Sequence, residues 1–128
     1  MTQADNQLAG REILIVEDEL IIAWEVQSMV EALGCIVCGP VSSVDAALAM
    51  LYQTEPDAAL LDVNLQGQSV TPVAQECQRR SIPFALITAY ARFRLDEPLL
   101  DNAVRVRKPF NQNDIREVLA GLVGSVAQ

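Results

Sequence analysis

The chain alternates, five times over, between a short apolar run and a stretch with helical spacing. The first run covers Glu12 to Val16. After it, Ile22, Val26, Met29, Val30 and Leu33 recur at the spacing of one helical face, and Gly34 stops the helix. A second strand is expected over Cys35 to Gly39. The next helix carries Ser42 or Ser43 as its cap and Val44, Ala47, Leu48 and Leu51 on its apolar face. Ala58 to Leu61, with Val63, reads as a third strand buried on both faces. Gly67 allows a tight turn, and Pro72 is tolerable in the first turn of the helix that follows. The fourth strand spans Phe84 to Thr88. Pro98 restricts the next segment to one short or irregular helical piece. Residues 104–108 form a fifth, shorter strand, and the last helix starts at Asn111 or Asn113 with Ile115, Val118, Leu119 and Leu122 facing inward. Strands separated by helices form parallel sheets covered on both faces. The expectation is one doubly wound α/β domain over residues 11–124, with a flexible tail at 1–10 and a short one at 125–128.

A chain of 128 residues that is 51% hydrophobic supplies one ordinary core. Its net charge of −8 opposes binding to DNA or to an anionic membrane, both of which need Lys/Arg patches. The charge is compatible with a divalent cation or a basic protein partner. The N-terminus lacks the features of a signal peptide, and no apolar run approaches the roughly 20 residues that span a bilayer, so the protein is expected in the cytoplasm. Cys35 and Cys38 match C-x-x-C, but they fall within an expected strand. Residues three apart on a strand point to opposite faces, so the pair reads as core packing rather than a redox or metal site. The chain has no histidine to complete a zinc site.

Asp62 is the anomaly. It ends the most apolar strand, where a buried carboxylate is costly unless paired, hydrogen-bonded or metal-bound. Ligands of open α/β sheets bind beyond the carboxyl ends of the strands. Those ends deliver Glu17-Asp18-Glu19, Asp62, Thr88 and Lys108-Pro109. If the first and third strands are neighbours, Glu17, Asp18 and Asp62 converge. Three carboxylates against one ammonium leave two negative charges, which one divalent cation neutralises. Oxygen-only ligands suit Mg²⁺ or Mn²⁺. Asp62 could then act as a nucleophile toward phosphorus, with Lys108 and the Thr88 hydroxyl binding phosphate oxygens. Each residue alone has a plainer reading: Asp18, for instance, also suits a helix cap. Their occurrence in order at four strand ends is the stronger signal.

With "LIVEDE", "LLDVNL", "LITAY" and "VRKPF" in this order, the chain resembles the receiver domain of bacterial two-component response regulators over about residues 11–124. The resemblance implies a flavodoxin-like fold with strand order 2-1-3-4-5. It implies that Asp18, Asp62 and the backbone carbonyl of Asn64 bind Mg²⁺, that Glu17 acts through water, and that Thr88 and Lys108 bind a phosphoryl group on Asp62. The implied partners are a histidine kinase or histidine phosphotransfer protein and a downstream protein, with a homodimer compatible. The implied function is not enzymatic in the usual sense: the protein is a phosphoacceptor switch that catalyses its own phosphorylation and dephosphorylation. Two features depart from many receivers. The loop after Asp62, "NLQGQSV", is short and lacks proline. Arg105 stands three positions before Lys108, where many receivers carry an aromatic residue. Both departures resemble the "FAT GUY" subgroup, often stand-alone receivers in stress signalling. Tyr90, Arg105 and Arg107 are the expected switch and partner surface, with Arg105 at the surface because a guanidinium resists burial.

The rival functions are weaker. A pseudo-receiver, binding partners without phosphorylation, would not need Glu17, Asp18, Asp62, Thr88 and Lys108 together. A flavodoxin wants a phosphate-cradling loop after the first strand, where "EDEL" would repel phosphate. A phosphatase with an aspartyl nucleophile usually wants Asp-x-Asp, and here Asp62 is followed by Val63-Asn64. No P-loop motif is present.

Overall fold

The computed structural model describes residues 7–89 and 98–126. Its elements are β1 (Glu12–Val16), α1 (Leu20–Ala32), β2 (Ile36–Val41), α2 (Val44–Gln53), β3 (Ala58–Asp62), β4 (Asn64–Leu65), β5 (Gln68–Ser69), α3 (Thr71–Arg79), β6 (Phe84–Thr88), α4 (Pro98–Asp101), β7 (Val104–Arg107) and α5 (Gln112–Val126). Five strands pair in parallel in the order β2-β1-β3-β6-β7, while β4 and β5 form a separate antiparallel hairpin. Without the hairpin, the order is the expected 2-1-3-4-5.

Alternation along each strand builds two cores. Leu14 and Val16 of β1 join Ala59 and Leu61 of β3 against α2 and α3, through Ala47, Leu51, Val73 and Cys77. Ile13 and Ile15 join Ala58 and Leu60 on the opposite face, against α1 and α5, through Val26, Val30, Ile115 and Leu119. Each fully buried Leu or Ile contributes about 1.5–3 kcal/mol relative to exposure. Because β3 lies in the middle of the sheet, every one of its residues is buried, Asp62 included.

The helix starts agree with local chemistry. Ser43 Oγ accepts the Ala46 N–H at 3.1 Å and caps α2. Asn111 Oδ1 accepts from the Asp114 N–H while Asp114 Oδ2 accepts from the Asn111 N–H, a reciprocal box that opens α5. Pro72 lies in the first turn of α3. Cys35, just before β2, and Cys38 within it enter opposite cores as free thiols.

Several boundaries differ from expectation: β2 begins at Ile36 rather than Cys35, Val63 lies outside β3 and is only partly buried, and β7 ends at Arg107, one residue short of Lys108. β2 continues past Gly39 to Val41. It is an edge strand, so Pro40 costs no ladder bond on its open side. Gly39 has φ +102°, and a side chain there would meet the Val41 backbone nitrogen at 2.8 Å, so the strand irregularity depends on glycine. Packed chain also begins before residue 11. Leu8 is fully buried, its carbonyl accepts the Cys35 thiol at 3.3 Å, and the Gln7 carbonyl accepts from Arg11 Nε at 2.9 Å. At the other end, α5 runs to Val126, past the expected limit of 124. Of the segment read as a short or irregular helix, residues 98–103 are described, with α4 at their start; the rest, and Tyr90 before it, lie outside the described residues.

Candidate phosphoacceptor site

The sheet order brings four strand ends side by side. Parallel pairing sets Val16 beside Leu61, Asp62 beside Ile87 and Thr88 beside Arg107. The residues just past or at these ends are Glu17 and Asp18, Asp62, Thr88, and Lys108. Carboxylate oxygens of Glu17, Asp18 and Asp62 all lie within 4.8 Å of one another. The Lys108 N–H donates to the Thr88 carbonyl at 2.8 Å, which ties the last two ends together. Thr88 is 6% exposed, as is Asp62.

Glu17 is the most deeply held charge. Its side chain is fully buried. Oε2 accepts the Glu19 N–H at 3.1 Å. Oε1 lies 3.3 Å from Lys108 Nζ but has no aligned hydrogen bond among the described residues. Such an oxygen has unused acceptor capacity inside the cluster. Asp18 is oriented from outside the sheet: its Oδ2 accepts the Gln66 N–H at 3.0 Å. It does not cap α1. The N-cap position is Glu19, and no side chain bonds to the helix there.

The electrostatics follow from crowding. Burial, then the neighbouring Glu17 and Asp18 carboxylates, push Asp62 from 3.8 up to about 8, against the pull of Lys108. Burial would raise Asp18 too, but hydrogen bonds with Asp62 and from Gln66 outweigh it and hold its carboxyl below 3.8. Burial works against the Lys108 charge, yet the facing carboxylates of Asp62, Glu17 and Glu19 hold its ammonium above 10.5. The oxygen-only donor set, its excess negative charge and the open Glu17 Oε1 fit a hard divalent cation.

Two contacts at the site are not signalled by the sequence, although Glu19 already stands among the acids at the first strand end. Gln66 contributes through its backbone. It occupies φ +53° beside Gly67 at φ +83°, the pair of positive angles that a two-residue hairpin turn demands. Gly67 signals a turn; nothing in the sequence signals that the turn donates to Asp18. Glu19 makes the other: its Oε1 lies 3.5 Å from Lys108 Nζ. Arg105 also departs from expectation. Its side chain is only 16% exposed, because the guanidinium folds back onto α4, 3.0 Å from the Asp101 carbonyl and 3.3 Å from Asp101 Oδ1. Arg can bury its stem when its head is paired. Arg107 is exposed as expected.

Burial pushes all three cysteine thiols up, Cys77 to about 12, so none is poised as a nucleophile. No helix among the described residues is long and apolar enough to cross a membrane.

The family model for the response regulator receiver domain matches residues 13–120. Among solved structures, the anti-anti-sigma factor PhyR from Bartonella quintana superposes with a TM-score of 0.83 at 27% identity, over 96% of this chain and 51% of that one. SdrG from Sphingomonas melonis Fr1 superposes with a TM-score of 0.77 at 33% identity, over 91% of this chain and 98% of that one. The receiver domain of the sensor histidine kinase PA1611 from Pseudomonas aeruginosa PAO1, solved with a magnesium ion coordinated in its active-site cleft, shares the fold with a TM-score of 0.79 at 24% identity, over 91% of this chain and 99% of that one. The chain spans about half the length of the curated relatives it matches. With a family match across nearly all the packed residues, the chain belongs to the response regulator receiver domain family.

Proposed function

We propose that Asp62 accepts a phosphoryl group from a phosphohistidine donor, a histidine kinase or a histidine phosphotransfer protein, and that the protein thereby switches its binding surface for a downstream protein. The observation that carries this reading is the convergence of the Glu17, Asp18 and Asp62 carboxylates beside Lys108. Asp18, Asp62 and the backbone carbonyl of Asn64 would hold Mg²⁺ or Mn²⁺ directly, with Glu17 acting through water. A bound divalent cation would supply positive charge that favours the ionised Asp62 and offsets the charge on the phosphoryl oxygens.

In the transfer, an Asp62 carboxylate oxygen attacks phosphorus. A P–O bond forms as the donor's P–N bond breaks, and its electron pair returns to the imidazole. The product is a mixed anhydride on Asp62. Lys108 balances charge on the transferred group, and the Thr88 hydroxyl donates to one of its oxygens. Hydrolysis at the same residues resets the switch, so both steps are self-catalysed. Leu20, Ile21 and Trp24 begin α1 beside the site and are 61%, 69% and 58% exposed, an apolar surface suited to a donor protein. The downstream surface includes Tyr90, Arg105 and Arg107, and the protein works in the cytoplasm without binding DNA or membrane.

The test is intact-mass spectrometry after incubation with a phosphohistidine donor and Mg²⁺. One added phosphoryl group is expected, absent in Asp62→Asn and absent with a chelator. Equal labelling of the Asn variant would refute the assignment.

A further inference from the structure

Glu19 holds the N-cap position of α1 without capping it. Its backbone is extended, with φ −85° and ψ 113°, yet its side chain makes no bond to the helix. Ser, Thr, Asp and Asn are favoured at that position because their short side chains reach the next free amides. The longer Glu19 side chain extends instead to Lys108, with Oε1 3.5 Å from Nζ. The same ammonium lies 3.3 Å from Glu17 Oε1. Lys108 is therefore gripped by two carboxylates of different character. Glu17 is fully buried and fixed through Oε2 by the Glu19 N–H. Glu19 is 64% exposed and free to rotate into solvent.

We propose that Glu19 is a positioning residue that competes with the phosphoryl group for Lys108. A phosphoryl group on Asp62 draws on the same Lys108 charge that these two carboxylates already share, and of the two ion pairs only the exposed one can yield to it. The buried Glu17 has nowhere to go, whereas Glu19 can swing out and be solvated. Each engagement of the phosphoryl oxygens thus displaces Glu19, and this contact lowers the site's grip on them. The inference rests on Asp62 being the phosphoacceptor.

Beryllofluoride, a phosphoryl mimic, tests it by calorimetry on the full chain at saturating Mg²⁺ and low salt. Glu19→Gln should tighten beryllofluoride about two- to five-fold, the range of an exposed ion pair, with an unchanged thermal midpoint. Glu19→Asp keeps the charge but loses a methylene of reach, and should tighten binding similarly. Glu25→Gln removes a charge from an exposed position further along α1 and should leave affinity unchanged. Wild-type affinity in both Glu19 variants overturns the proposal. So does an equal gain from Glu25→Gln, which would mark a general charge effect, or wild-type affinity in Glu19→Asp alone. If wild-type protein binds neither Mg²⁺ nor beryllofluoride, the phosphoacceptor reading falls as well.

Discussion

The backbone N–H of Gln66 donates to Oδ2 of Asp18 at 3.0 Å, joining the hairpin after β3 to the acidic loop after β1. That bond depends on a turn with two consecutive positive φ angles, at Gln66 and Gly67. Nothing lies within 4 Å of a side chain added at Gly67, so Gly67→Ala meets backbone strain and no clash. The cost should be about 1 kcal/mol. Because the strained turn also aims Asp18, Mg²⁺ affinity should fall with it. Urea unfolding and a metal titration on the same variant check both; lost stability with unchanged metal affinity would detach the hairpin from the site.

Asp18→Asn separates metal binding from helix capping. Asp18 makes no cap on α1, so its replacement should leave stability in chelator within about 0.5 kcal/mol of wild type. Mg²⁺ affinity should drop at least several-fold. Asn caps about as well as Asp, so a cap would survive this change too, and it is unchanged Mg²⁺ affinity in the variant that would favour the capping reading.

The fold is legible in the sequence because apolar burial, the largest force behind it, leaves a periodic trace. β1 and β6 take the bounds expected of them, Glu12–Val16 and Phe84–Thr88, and Cys35 and Cys38 fall in separate cores, although β2 begins only at Ile36. The acids at the strand ends are legible for a related reason, since parallel strands bring their carboxyl ends together. What escapes depends on side-chain reach or turn geometry rather than pattern. The Gln66 donor arises from a backbone angle that glutamine rarely adopts. Glu19 and Arg105 find partners through long, flexible side chains, and Leu8 packs from beyond the first periodic segment.

Stability of the metal-free protein should fall as pH rises from about 4 to about 8. The Asp62 carboxyl is near 8 when folded and 3.8 ordinarily, so the folded state holds this proton more tightly than the unfolded one. Its contribution is full below 3.8 and lost as pH rises through 8. Asp18 has the opposite sign: its folded carboxyl lies below 3.8, so its contribution is present above 3.8 and lost as pH falls. Lys108 is held above 10.5, so its contribution persists across this window. Thermal midpoints in chelator between pH 5 and 8 should decline for wild type and flatten in Asp62→Asn. Parallel slopes for the two proteins would show that Asp62 is not the crowded carboxyl.

Thr88 and Arg105 should divide the switch between them. Thr88→Ala should still bind beryllofluoride but transmit less of the change to residues 98–107, seen as smaller amide shift differences there. Arg105→Ala removes a largely buried stem together with its contacts to Asp101 and should cost about 1–2 kcal/mol. It should leave phosphorylation of Asp62 intact while loosening α4. Blocked phosphorylation in Arg105→Ala, with normal transmission in Thr88→Ala, would reverse these roles.

The most direct measurement locates the acyl phosphate itself. Protein phosphorylated in the presence of Mg²⁺ is treated with borohydride, which reduces a phosphorylated aspartate to homoserine, and the peptides are sequenced by mass spectrometry. Homoserine should be found at position 62, and Asp18 should remain aspartate. Homoserine at position 18, or a labelled protein with an unmodified Asp62, would contradict the account.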